Sequence, residues 1–228
     1  PEPARPQPSQ ERVGRADNGT QTTPVNQTLT PLGTFVDLPG MRPQVIALSR
    51  DGTKIYTAGK TNELVVLDAL SGAIVQRVAL PNENQNEPAG AQSSMELKPD
   101  KDGQVSYTGI ALSSDGSTIY LSNVRGSIKV FAVDAEGKVT PSHTLSLPHA
   151  DAPRREAEIP SGLVLSKDGK LLYVCGNLSN QLFELDATTG AVLRKFDVGA
   201  APFDVVLAGD RAFVSNWGGR QPGAGDLT

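Results

Sequence analysis

Residues 43–81, PQVIALSRDGTKIYTAGKTNELVVLDALSGAIVQRVALP, set a pattern that returns at 107–148 and at 159–202 and starts a fourth time at 203. A repeat of this length must build its core by stacking like units, which constrains the fold more than any single motif does. Each unit reads as four short strands. In the first they are 45–48, 54–58, 64–67 and 73–80. The first three are rich in Val, Ile, Leu and Tyr, as buried strands are. The fourth carries Gln76 and Arg77, then Ser142 and His143, then Arg194 and Lys195 in its copies, the polar character that an exposed sheet edge requires.

The turns carry the same message. Strands one and two are joined by Ser-x-Asp-Gly at Asp51-Gly52, Asp115-Gly116 and Asp168-Gly169. Strands three and four are joined by Asp68 to Gly72, Asp134 to Gly137 and Asp186 to Gly190. Asp-Gly between apolar runs is a hairpin signal, because Gly takes the positive φ and Asp bonds the backbone two residues on. Each unit is therefore an antiparallel meander. Four-stranded units at this spacing are the signature of β-propeller blades, and the chain reads as all-β: about three and a half blades within 31–228, with blades at 43–81, 107–148 and 159–202 and an incomplete one at 203–228. Helical periodicity is not sustained anywhere, and Gly (23) and Pro (17) punctuate the chain throughout.

The second strands read Ile55-Tyr56-Thr57-Ala58, Ile119-Tyr120-Leu121-Ser122-Asn123, Leu172-Tyr173-Val174-Cys175-Gly176-Asn177 and Ala212-Phe213-Val214-Ser215-Asn216. With the turns on either side, they resemble the Tyr-Val-Thr-Asn motif of YVTN propellers, the YncE-like group of the seven-bladed lactonase-like superfamily. The likeness runs from Thr34 to Asn216. The stretch PFDVVLAGDRAFVSNWGGRQP also resembles bacterial YncE-like propellers fused to a C-terminal alkaline-phosphatase-type phosphoesterase domain. The resemblance implies an extracytoplasmic protein, secreted or periplasmic. It further implies that residues 34–38 form an outer strand of the kind that ties the two ends of a ring. Pro1 at the start and the polar loop reaching Thr228 suggest a piece of a longer protein with open edges.

Residues 1–30 are rich in Pro, Gln, Asn and Thr and are expected to form a flexible leader. Asn18 and Asn26 head glycosylation sequons, which matter only in a eukaryotic secretory setting. A net charge of −4 gives no basic face for nucleic acid. No apolar run is long enough for a membrane-spanning helix. The single cysteine, Cys175, excludes an internal disulfide framework and falls on an apolar strand as a small core residue.

Connectivity sorts the loops. Connections from strand four to the next strand one share a face with those from strand two to strand three. The two inserts, 82–104 and 149–158, and the loop 216–227 all fall there, while tight turns occupy the other face. Loops placed by a rigid scaffold are where binding resides. Candidate ligand- or partner-binding residues on that face are Arg42, Tyr107, Arg125, Glu156, Glu158, Phe203, Asp204, Asn216, Trp217 and Arg220. Arg154 and Arg155 sit among acids and read as a solvated loop. The Asp-Gly turns lack the alternating carboxylates of a calcium loop. His143 and His149 have no carboxylate at ligand spacing, so no metal, cofactor or catalytic residue is assigned. The expected function is a binding or scaffold module whose partner is a ligand or a neighbouring domain of the same chain. The alternative is the propeller part of a hydrolase.

Overall fold

The computed structural model describes residues 13–25, 27–59, 62–81 and 109–226. They belong to two compact units, Pro1–Asp37 and Leu38–Thr228. No helix occurs among them.

In the first unit, β1 (Gly14–Arg15), β2 (Gln21–Thr22) and β3 (Thr28–Leu29) form a small antiparallel meander. Arg15 pairs with Asp37 at 3.1 Å and lies over the Phe35 ring at 5.1 Å. Within the stretch expected to be a flexible leader, residues 14–29 carry these short strands, and local turn bonds such as Gly19 N–H to Ala16 C=O close the first hairpin. Nothing comparable was visible as apolar alternation, because the strands are two residues long and largely exposed.

The second unit holds the repeats. β4 (Pro43–Leu48), β5 (Lys54–Gly59), β6 (Glu63–Asp68) and β7 (Ile74–Ala79) form one sheet in that order. β8 (Ile110–Leu112), β9 (Thr118–Asn123), β10 (Ser127–Val133) and β11 (Val139–Ser146) form the second. β12 (Pro160–Leu165), β13 (Leu171–Gly176), β14 (Gln181–Asp186) and β15 (Val192–Asp197) form the third. β16 (Pro202–Ala208) and β17 (Arg211–Asn216) pair alone. The partial propeller read from the repeat is the fold.

The Ser-x-Asp-Gly turns show why they recur. Gly52, Gly116 and Gly169 have φ of 73°, 78° and 72°. The serine does more than the sequence reading credited. Ser49 donates to Asp51 Oδ1 at 2.6 Å and accepts the Lys54 N–H at 2.8 Å, locking the start of the second strand. Ser113 and Ser166 repeat the arrangement with Asp115 and Thr118, and with Asp168 and Leu171. The Ser49 hydroxyl and the Thr53 N–H and hydroxyl hold Asp51 down to about 2, and Ser113 and Ser117 do the same for Asp115. Their folded values lie below the ordinary carboxylate value. The stability they give is therefore complete above pH about 4 and is lost as pH falls towards 2. The thermal midpoint should be flat near neutrality and drop across that window, with a shallower drop in a Asp51→Ala/Asp115→Ala double variant. A midpoint independent of pH across the window would contradict this role.

Sheets stack face to face. Leu64, Val66 and Val78 of the first meet Phe131 and Val139 of the second. Ile128, Val130 and Leu145 of the second meet Phe183, Leu185 and Ala187 of the third. The seams are also pinned by hydrogen bonds: Ser122 Oγ donates to Ser161 C=O at 2.6 Å, and Asn177 Nδ2 donates to Pro202 C=O at 3.1 Å. The Ser and Asn of the second-strand motif thus hold the next blade's innermost strand. That strand is bulged in β4, β12 and β16, between Pro43 and Val45, Pro160 and Leu163, and Pro202 and Asp204, while β8 pairs in continuous register over Ile110–Leu112.

Three strand expectations are corrected. Residues 34–38 form no strand; a ladder needs an edge to pair with, and Leu38 instead packs with Val65 and Leu67 on the flank of the first blade. The first strand is not buried on both faces in every unit: β4 leaves Ile46 72% and Leu48 58% exposed, whereas Pro160, Ser161, Gly162 and Leu163 of β12 are buried as expected. The last strand is not uniformly an exposed polar edge. Arg77 is buried and ion-paired with Glu63 at 3.5 Å, and Gln76 reaches across the seam to both the N–H and the C=O of Val139.

Candidate functional site

The loop face is built by the 4–1 and 2–3 connections. Near the end of the chain, two of them are laced together. Ala200 N–H donates to Gly219 C=O at 2.8 Å, Gly218 N–H to Ala200 C=O at 2.9 Å, and Trp217 N–H to Ala201 C=O at 3.0 Å. Ala201 can hold its left-handed φ of 53° because Asn180 Oδ1 accepts its N–H at 2.8 Å. This frame sets Trp217 against Phe203 in a near-parallel stack, ring centroids 4.8 Å apart and planes 21° apart. Trp217 remains 59% exposed. Asp204, next along β16, is exposed; its Oδ1 accepts the Val205 N–H at 2.9 Å. Asn216 is half-buried, donating Nδ2 to Val214 C=O at 3.2 Å, with Oδ1 buried and undonated among the described residues. Phe203 and Trp217 therefore form one small patch, with Asp204 beside Phe203 along β16 and Asn216 beside Trp217 in the chain.

The other candidates do not join it as free binding groups. Glu158 is fully buried, and its carboxylate accepts four hydrogen bonds: Ile159 N–H at 2.8 Å, Leu178 N–H at 2.8 Å, Ser179 N–H at 3.2 Å, and the Ser179 hydroxyl. It is an organiser of the 177–180 loop. Arg220 is spent on Asp226, with NH1 to Oδ2 at 2.6 Å and NH2 to Oδ1 at 2.8 Å. Arg125 is exposed at the 2–3 turn of the second blade, its N–H bonded to Asn123 Oδ1 at 3.2 Å. Arg42 and Glu156 are exposed at the surface. Tyr107 and the insert 82–104 lie outside the described residues.

The insert 149–158 is more regular than its composition suggested. Ala152 bridges Arg155, and Ala150 N–H donates to Glu156 C=O at 2.8 Å. Ser179 Oγ accepts the Asp151 N–H at 2.8 Å while donating to Glu158. Sequence reasoning missed the Ser179 role, since its partners are far apart along the chain. Cys175 sits in the seam between the third blade and β16; burial, and after it the nearby Asp204 charge, push its thiol up to about 12. At neutral pH it is a protonated core residue. No cluster of three or more His, Cys, Asp or Glu positioned for a metal occurs among the described residues.

Stacked four-stranded meanders with their irregular connections on one side define a β-propeller module. Residues 75–205 match the family described as "Lactonase, 7-bladed beta-propeller", and the chain belongs to that family. No curated protein matches the sequence. Among solved structures, a 6-phosphogluconolactonase described as putative, from Bacteroides uniformis, is similar over 89% of this chain and 59% of its own, at 16% identity and a TM-score of 0.55. The periplasmic gluconolactonase PpgL of Pseudomonas aeruginosa is similar over 73% of this chain and 42% of its own, at 23% identity and a TM-score of 0.50. The U3-55K structure matches over 75% and 44%, at 13% identity and a TM-score of 0.53. This chain spans 42–59% of the length of those three structures.

Proposed function

We propose that the chain is a binding module whose ligand docks on the loop face at the Phe203–Trp217 stack, with Asp204 and Asn216 as polar partners. The observation that carries this is Trp217: a tryptophan in a loop held by three backbone hydrogen bonds, one of them its own, yet 59% exposed. A rigid, exposed indole stacked on Phe203 suits a ligand that has one apolar face and hydroxyls on its rim, as a sugar or sugar lactone has. Trp217 is the single tryptophan, so its fluorescence reports the site directly. Titration with gluconate and glucono-δ-lactone is expected to give a saturable change that Trp217→Phe diminishes and Asp204→Asn weakens. A linear, non-saturating response in the folded protein would sink the reading.

The second reading is a lactonase-like hydrolase, favoured by the family match and by the names of the Bacteroides and Pseudomonas structures. Lactone opening faster than the spontaneous rate, lost in Asp204→Asn, would select it over the first. The finer YncE-like resemblance supports an extracytoplasmic setting and a propeller that presents substrate to a phosphoesterase domain of a longer chain. An alkaline-phosphatase-type metal motif in the sequence of that chain would test it.

A further inference from the structure

We propose that Asn180 is the positioning residue of the Phe203–Trp217 platform, a role that rests on the binding reading above. Acting through Ala201, it fixes the indole in the plane that meets a ligand. At this point of each unit the fold asks only for a left-handed backbone. Gly126, three residues after Asn123, has a φ of 82°, and Gly219, three after Asn216, has 71°. Asn180, three after Asn177, has 56°. The carbonyl does the same work in two blades: Leu147 N–H donates to Gly126 C=O at 2.8 Å, and Val198 N–H to Asn180 C=O at 3.0 Å. Glycine takes this conformation without steric cost, so the backbone gives no reason for a side chain at 180. The side chain has a different task. Asn180 Oδ1 accepts the Ala201 N–H at 2.8 Å, the one side-chain bond to Ala201 among the described residues.

Ala201 is where the chain departs from its repeat. Arg42 and Ile159 precede the first-strand prolines of two other blades, as Ala201 precedes Pro202, and neither has a positive φ. The φ of 53° at Ala201 is costly for a residue with a β-carbon, and such strain gathers at ligand clamps and switches. What it achieves lies beside it: Ala201 C=O accepts the Trp217 N–H at 3.0 Å. Phe203 is fixed from the other side, because Pro202 C=O accepts from Ser161 Oγ at 2.8 Å and from Asn177 Nδ2 at 3.1 Å. The blade seam thus sets Phe203, and Asn180 sets Trp217 against it. Asn180 is anchored through its own carbonyl to Val198 and not through Glu158, so the positioning of Trp217 and the ordering of the 177–180 loop are separate devices.

Asn180→Gly keeps the left-handed backbone and removes the acceptor. In the ligand-free full chain, acrylamide quenching of Trp217 should rise about twofold and the near-ultraviolet circular dichroism of the ring stack should shrink, with the thermal midpoint close to that of the parent. Asn180→Asp, whose carboxylate accepts the same N–H, should keep the parent signals. Gluconate should bind Asn180→Gly about tenfold more weakly but reach the same end-point, because binding must first order the platform. Parent-like quenching and stack signal in Asn180→Gly would overturn the proposal, as would Asn180→Asp behaving like Asn180→Gly. If Asn180→Gly fails to fold, amide exchange in the parent decides: an Ala201 N–H at least about tenfold slower than in an unstructured chain supports the latch, and one at the unstructured rate overturns it. A non-saturating gluconate response in the parent, with quenching still raised in Asn180→Gly, would sink the binding reading and leave the role of Asn180 in place.

Discussion

Gly109→Ala is expected to destabilise the propeller by about 3 kcal/mol or more, the high end of overpacking costs, because the site lies on a seam between blades. A methyl group there would stand 1.7 Å from Ser122 Oγ, 2.2 Å from Ser161 C=O and 2.5 Å from Ser122 Cβ. Gly109 C=O also accepts the Ser122 N–H at 2.8 Å, so the backbone cannot swing aside without losing that bond. The methyl therefore wedges the second blade from the third and breaks the Ser122–Ser161 clamp as well. Denaturant unfolding followed by circular dichroism measures the loss. Adding Ser122→Ala removes only the closest atom, and the Ser161 carbonyl and Cβ of residue 122 stay in place, so the double variant should not be rescued. Recovery to the parent midpoint would show that a side chain alone makes the contact and that the seam can adjust.

That clamp marks the boundary of what the sequence can disclose. Local chemistry was legible: Asp51-Gly52 and its copies spelled the hairpins, and the apolar runs between them gave the strands and hence the propeller. Cross-blade chemistry was present only as a recurring motif without a stated purpose. The Ser and Asn that end the second strands looked like family markers, yet Ser122 and Asn177 are the donors that hold neighbouring blades. Pro43, Pro160 and Pro202 could have flagged the strand-one bulges, since each stands where the register slips and lacks a ladder N–H. The candidate site was legible in part. Trp217 and Phe203 are near in the fold because β16 and β17 form a tight hairpin, and sequence proximity sufficed. Arg220 looked free because an ion pair with Asp226 depends on how a glycine-rich loop folds back.

Glu158 shows the same limit with a larger energetic consequence. A carboxylate on the loop face reads as a ligand group, and burial reverses that reading. Glu158→Ala should cost about 4 kcal/mol, because it strips the acceptor from three backbone N–H groups and a hydroxyl inside a site with little access to water. Glu158→Gln should cost roughly half as much: an amide oxygen can still serve Ile159 and Leu178, while its NH2 faces the Ser179 N–H as a second donor. Hydrogen exchange should speed first at 177–180, then at 150–156, because Ser179 links Glu158 to Asp151. Gluconate titration by Trp217 fluorescence in the Gln variant separates the two roles. A stability loss with unchanged ligand response is the result expected of a loop organiser. Unchanged stability with abolished response would return Glu158 to the binding site.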